Sequence, residues 1–275
     1  MQINSNSTIN QNIYASANQS LARIATGIEL NQSSDNASSL SIANSLLTQS
    51  NGYSQAIENT NSAIASSQIA SGATNEQSKI LDNVKEKLLQ ASTDTTSKEG
   101  RDAILKEIKS QLDQFDKIAS GTNYNGQTLL QKSVTDNSAS DSQQYQSGLI
   151  GNNIIESSGV QSNTKGLGLT NLVNQDSATF TATDARSFLA NVDKAMSGLN
   201  DIRTDIGATQ NQLQSANRNL LTQQTSTLAA ASLFDTDYAK ESANFSKQNI
   251  LAQIGAYGQV QSTNVNQQNV LRLLS

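Results

Sequence analysis

The chain has 275 residues, of which 35% are hydrophobic and 4% aromatic, against roughly 45–50% apolar in an average soluble protein, so its core is expected to be thin. It contains no Cys, His or Pro, which excludes disulfides, thiolate metal ligands and the commonest general base, and removes the usual parts of most hydrolytic and redox sites. Its net charge is -5 and its 18 Lys and Arg form no cluster, so neutralising nucleic-acid phosphates is not among its expected functions.

Met1 to Asn6 lacks the basic and apolar regions of a cleavable signal peptide, and no window approaches the roughly 18–20 apolar residues of a membrane span, so a soluble chain is expected. From Ile9, the positions Ile13, Ala17, Leu21, Ile24 and Ile28 step by threes and fours, predicting an amphipathic helix with a slim apolar edge. Gly27 and the polar run Asn31 to Asn36 predict a hinge, after which Ala37 to Ser50 resumes helical patterning through Leu40, Ala43 and Leu47. Helix is predicted to continue over 45–92, with Ile57 and Ile64 seven apart and Leu81, Val84 and Leu88 at helical offsets. After a polar break at Thr93 to Lys98, Ile104, Ile108, Leu112, Phe115 and Ala119 predict a second helix, ended by Gly121 and the turn residues that follow. Between Gln131 and Thr183 the periodicity changes: Tyr145, Leu149, Ile150, Ile154, Ile155, Val160 and Phe180 sit among Gly, Asn and Ser, which reads as short strands and turns.

The strongest pattern lies between Ala185 and Leu233. Phe188, Val192, Ala195, Leu199, Ile202, Ile206, Thr209, Leu213, Ala216 and Leu220 alternate spacings of four and three, a heptad seam whose apolar stripe must be covered by other helices. At about 1.5 Å per residue this run extends roughly 70 Å, which predicts a rod rather than a ball, with the two preceding helices, antiparallel to each other, facing the seam. The predicted fold is therefore mostly α, a long antiparallel helical rod with a small β region. A last helix carries Ile250, Leu251, Ile254, Val270, Leu271 and Leu274. Its edge and that of Ile13 to Ile28 are too slim to support an isolated domain, so both ends are expected to stay unsatisfied until copies of the chain meet and bury them in a coiled-coil layer.

No constellation for chemistry emerges. Gly166-x-Gly168 has Asn171 where a dinucleotide loop needs a third Gly, and reads as a turn. Asp82, Glu86, Glu99, Asp102, Asp235 and Asp237 read as solvated faces or helix caps rather than paired carboxylates. No catalytic, cofactor-binding or metal-binding residue is predicted, and the chain is not expected to be an enzyme.

Several motifs are more specific. Leu21-Ala22-Arg23-Ile24-Ala25-Thr26-Gly27-Ile28-Glu29-Leu30-Asn31, then Ser34-Asp35-Asn36-Ala37-Ser38-Ser39-Leu40-Ser41-Ile42-Ala43, resembles the N-terminal signature of bacterial flagellins, with Ser39 where Gly is usual. Thr122-Asn123-Tyr124-Asn125-Gly126 and Gly166-Leu167-Gly168-Leu169 resemble later motifs of that family, as do Phe234 to Glu241 and Gln248 to Gln253. The ending Gln267 to Leu274 resembles the family's Pro-Gln-Asn-Val-Leu-x-Leu-Leu, with Gln267 in place of Pro. The resemblance covers about residues 3–130 and 164–275.

What the resemblance implies is a subunit of the extracellular flagellar filament, exported unfolded by the flagellar type III apparatus. Residues 1–40 with 235–275 would form the inner coiled-coil tube, 41–130 with 184–234 the helical rod domain, and 131–183 a small outward-facing region holding a β-hairpin. Implied partners are further copies, an export chaperone, and the hook-filament junction and cap proteins, with no nucleic acid and no membrane. The run Leu81-Asp82-Asn83-Val84-Lys85-Glu86-Lys87 departs from the Leu-Gln-Arg-Val-Arg-Glu-Leu of flagellins sensed by the vertebrate Toll-like receptor. With Asn83 for Arg and Lys87 for Leu, weak or no receptor activation is expected. A hook-filament junction protein and a secreted coiled-coil effector are the alternatives.

Overall fold

The structure is a computed structural model that describes residues 3–31 and 33–274, with side chains described over 11–31, 36–258, 260 and 261. Its helices are α1 (Ile3–Thr26), α2 (Ser33–Ala91), α3 (Lys98–Gly121), α4 (Thr170–Val173), α5 (Ala182–Ala231) and α6 (Tyr238–Leu274). Between α3 and α4 lie the short strands β1 (Asn123–Tyr124), β2 (Gln127–Thr128), β3 (Gln143–Gln146) and β4 (Ile154–Ser157). The predicted mostly-α class is borne out. The chain divides into two compact units, one of Met1–Asn51 with Gln224–Ser275 and one of Gly52–Gln223.

In the unit of residues 52–223, α2, α3 and α5 share one core. Leu81, Val84 and Leu88 of α2, Ile108, Leu112 and Phe115 of α3, and Phe188, Val192 and Leu199 of α5 are buried together, with Leu169, Leu172 and Phe180 closing one side. As α2 is followed forward its partners run backward on both neighbours. Asn61, Lys85 and Asp94 meet Asn217, Asp193 and Arg186 of α5, while Gln77 and Lys87 meet Phe115 and Glu107 of α3, so both pairings are antiparallel, that of α2 with α3 as expected.

The seam that α2 turns inward differs from the one its large residues announce. Ala56, Thr60, Ala63, Ser67, Ala70, Thr74, Gln77, Leu81, Val84, Leu88 and Ala91 alternate steps of four and three, and all are buried, whereas Ile57 and Ile64 flank the seam half-exposed. Small side chains let neighbouring backbones approach closely. The hydroxyls of Thr60 and Ser67 are satisfied by their own helix, donating to the carbonyls of Ala56 and Ala63, so burying them leaves no orphaned donor.

Two antiparallel hairpins follow α3. Asn125 at φ 50° and Gly126 at φ 81° form the two-residue β1–β2 loop, the positive-φ pair that a type I′ turn requires. The second hairpin pairs β3 with β4 from Gln143–Ser157 to Gln146–Ile154. Tyrosines anchor both to α2, Tyr124 Oη lying 2.9 Å from Ser62 Oγ and Tyr145 Oη 3.2 Å from Ser66 Oγ. The interval 131–183 thus holds one hairpin among turns, as expected, but two of the residues read as part of this β region lie elsewhere. Val160 is buried beside Leu129, Leu130 and Ile206, and Phe180 belongs to the helical core, followed by α5 rather than a strand.

The other unit contains α1, the first part of α2, the end of α5, and α6. Asn36 is extended, at φ -166° and ψ 99°, and its side chain accepts from Ser39 N at 3.1 Å, so regular helix resumes at Ala37 as predicted. Gly27 ends α1 at φ 73°, a left-handed conformation that favours glycine, and a Cβ there would lie 2.7 Å from Tyr238 Oη, the tip of an exposed side chain that would have to move aside. The chain breaks after α1 and before α6 are bonded to each other: Glu29 N donates to Phe234 O at 3.1 Å and Thr236 N to Gly27 O at 3.0 Å. Asp237 caps α6, accepting from Ala239 N and Lys240 N.

Candidate assembly surfaces

The two units bury very different side chains. Among the described residues, the largest fully buried ones (Phe115, Phe180 and ten leucines and isoleucines) all lie within 52–223. Among the described residues, the unit of the two chain ends buries only Ala17, Ser20, Ala43, Ser50, Thr227, Thr236, Glu241 and Ala252. α1 and α6 pack on each other, with Arg23 Nη1 3.9 Å from Glu241 Oε1 as a polar tie.

Of the residues predicted for assembly, Ala17 is buried and Ile13 and Ile24 are half-buried, but Leu21 is 49% exposed and Ile28 38%. On α6, Ile250 is 58% exposed, Leu251 38% and Ile254 61%, and Tyr257 and Val260 extend the same exposed surface. Val270, Leu271 and Leu274 lie in α6, and their side chains fall outside those described. Tyr14, Ile42, Leu47, Leu228, Leu233 and Tyr238 add to the exposed apolar area of this unit. Tyr257 lies seven residues beyond Ile250 and so continues the apolar edge of α6 that the periodicity marks.

Every member of the α5 seam is inward. Phe188, Val192, Leu199, Ile206, Leu213 and Leu220 are buried and Ile202 is half-buried. The segment 81–87 is split by the helix. Leu81 and Val84 are fully buried, while Asp82, Asn83 and Glu86 face solvent. Lys85 reaches Asp193 and Lys87 reaches Glu107, each at 2.6 Å. The Glu107 carboxylate, accepting from the Lys87 ammonium, holds that group above the usual lysine range. Both lysines are thereby engaged within their own molecule.

Beside the hairpins lies an open cavity of about 610 Å³ lined by Gln127, Lys132, Asp141, Gln143, Gln144 and Tyr145 among others. Among the described residues, no group of three or more acidic side chains stands where it could hold a metal ion, and no helix is long and apolar enough to cross a membrane.

Residues 1–135 match the model of the bacterial flagellin N-terminal helical region, and residues 189–274 match that of the bacterial flagellin C-terminal helical region. The chain belongs to the bacterial flagellin family. A flagellar filament 31.3 kDa core protein of Treponema maltophilum is 29% identical over 263 residues, covering 92% of this chain and 91% of that protein. Flagellin A of Helicobacter felis is 38% identical over 140 residues, which is 51% of this chain and only 26% of that flagellin. The chain therefore spans nearly the whole of the spirochaete protein and about a quarter of the Helicobacter one. In fold it is similar to Bacillus cereus flagellin (TM-score 0.51, 23% identity, 63% of this chain and 94% of that one). A putative flagellar hook-associated protein from Vibrio parahaemolyticus gives a TM-score of 0.59 at 13% identity, covering 73% of this chain and 98% of that one. Flagellins are structural proteins. The helical fold is shared by filament and hook-associated proteins, so it is the sequence matches at both chain ends that assign the family.

Proposed function

We infer that this flagellin is the structural subunit of an extracellular bacterial flagellar filament, and that its two chain ends supply the polymer contacts. The observation that carries the reading is the division of apolar surface. Residues 52–223 bury a core of large side chains, although Ile150 and Leu89 among others stay exposed there, whereas among the described residues the unit of the chain ends buries no apolar side chain larger than alanine and leaves Leu21, Ile28, Ile250, Leu251 and Ile254 open to water. At about 25 cal/mol per Å², covering such residues on several neighbours supplies a driving force for association. A heterologous contact that does not close on itself repeats into a helical filament. Residues 1–40 with 235–275 are the inner layer in this proposal, 41–130 with 184–234 the rod, and 131–183 the outward region.

Export follows the same physics. A chain with no disulfide and no prolyl bond has neither crosslink nor slow isomerisation to delay threading and refolding. Until assembly, the exposed face of α6 is the surface an export chaperone would shield, and junction and cap proteins would meet the same ends at either terminus of the filament. The altered segment 81–87 supports weak Toll-like receptor activation, because Asn83 offers no guanidinium and Lys85 and Lys87 are already paired. A reporter-cell dose response equal to that of a flagellin with Arg at that place would refute this.

The deciding experiment is seeded polymerisation. Purified chain added to short filament fragments should become sedimentable, and electron microscopy should show the fragments lengthened. A chain that stays in the supernatant at every concentration would favour a secreted coiled-coil protein, and one that adds a single terminal layer would favour a hook-filament junction protein.

A further inference from the structure

The chain contains the dipeptide Asn-Gly twice, in opposite structural settings. Asn51-Gly52 lies inside α2, where the Gly52 N–H is held by the helical hydrogen-bond ladder. Asn125-Gly126 is the whole loop of the β1–β2 hairpin, closed by the pair Tyr124–Gln127. Both loop residues are exposed, and a Cβ built on Gly126 would meet nothing within 4 Å. The side chain of Asn125 takes part in no described hydrogen bond. As the second loop residue, Gly126 has its N–H outside the ladder, so the nitrogen is neither bonded nor screened by a side chain. The hairpin has only two residue pairs, which puts its opening at the low end of the molecule's local stabilities.

From this contrast we propose that Asn125 is a self-modification site, at which the turn converts without an enzyme to a mixture of aspartate and isoaspartate. The Gly126 amide nitrogen attacks Cγ of Asn125, forming a five-membered succinimide. The carboxamide C–N bond breaks, and ammonia leaves carrying the proton that the Gly126 nitrogen has lost. Water then opens the ring at either carbonyl. Attack at Cγ gives aspartate at position 125, and attack at the main-chain carbonyl gives isoaspartate. No oxidant, reductant or cofactor is needed. Either product places a negative charge on the hairpin tip, and isoaspartate also lengthens the main chain by one carbon, which the Tyr124–Gln127 register cannot absorb. Tyr124 is the residue whose hydroxyl meets Ser62, so the change loosens the anchor of this hairpin on α2. The turn thus marks the time elapsed since the molecule was made.

The test is peptide mapping of the folded full chain after prolonged incubation at mildly alkaline pH, with aspartate and isoaspartate distinguished by fragmentation. A parallel sample is held in denaturant. In the unfolded chain both sites should deamidate at similar rates. In the folded chain Asn125 should react faster than Asn51 by on the order of tenfold or more, because each factor of ten requires only about 1.4 kcal/mol more to open the helix than the hairpin. Equal rates at the two sites in the folded chain, or an intact Asn125 under conditions where the unfolded chain reacts, would overturn the proposal. Asn125→Gln, which cannot form the five-membered ring, should stay unmodified at position 125 and retain its far-UV circular dichroism; ammonia release from that position in the variant would equally refute the mechanism.

Discussion

Gln77 is a polar residue with no exposed surface in a seam otherwise made for small and apolar side chains. Its Nε2 donates to the carbonyls of Phe115 at 3.2 Å and Ser162 at 3.0 Å, tying α2 to the last third of α3 and to the loop before α4. At the next residue of α3, the Asp116 carboxylate accepts from both the backbone and the hydroxyl of Thr164, at 2.7 Å each. Gln77→Leu keeps the volume and removes both donors, and is expected to cost about 1–3 kcal/mol in denaturant unfolding of the unit. An unchanged midpoint would mean that the Gln77 bonds are incidental. Asp184 works at the other end of the helical core, where its carboxylate accepts from the Thr181 hydroxyl and backbone N–H and caps α5 reciprocally with Thr181. Those bonds, the hydroxyl's first, hold its pKa below the usual aspartate value. A depressed folded pKa means that the stabilisation is complete above the unfolded value of about 3.9 and is lost as pH falls through the folded one. Asp184→Ala should therefore lower stability by roughly 1 kcal/mol at neutral pH and by progressively less in acid. A gap between variant and parent that stayed constant down to strongly acidic pH would contradict this.

At the scale of elements, the sequence was legible wherever large residues carried the period. The α5 seam is the clearest case: Phe188, Val192, Leu199 and Leu213 are inward as their spacing demands, because a helix with one apolar stripe has one way to bury it. The α2 seam was illegible for the opposite reason. Its first half is Ala56, Thr60, Ala63, Ser67, Ala70 and Thr74, and a hydropathy period cannot see residues chosen for being small. Ile57 and Ile64 show a period of seven there but lie beside the contact. The β1–β2 hairpin was likewise written in Asn125-Gly126 yet read as a helix-ending turn, since strands of two residues leave no alternation to detect. The small seam makes its own prediction. Ala63 is almost fully buried, so Ala63→Leu forces three extra carbons between close-packed backbones and should cost about 1–3 kcal/mol or more, whereas Ile64→Ala on the flank should cost less. Thermal unfolding of the two variants decides the matter, and the reverse ranking would put the seam where the larger residues are.

At the scale of the whole molecule, the proposed function assigns stability and association to different parts of the chain, and this separation can be tested by variants that affect one alone. Ile250 and Ile254 are one turn apart on α6, both more than half exposed, and neither is a member of the buried core of residues 52–223. Replacing both by Ser should leave the unfolding of that core unchanged, since exposed substitutions away from special features stay within about 0.5 kcal/mol. The same double variant should abolish lengthening of seeded filaments, because two large apolar contacts are lost at every repeat of the polymer and the losses act on each subunit added. Removing Ile250 to Ser275 altogether should have the same outcome, a helical monomer whose core melts as before and which no seed incorporates. The two manipulations fail differently if the reading is wrong. A truncated chain that still polymerised would place the contacts outside α6, while a double variant whose core melted early would show that α6 supports the fold itself rather than waiting for a neighbour.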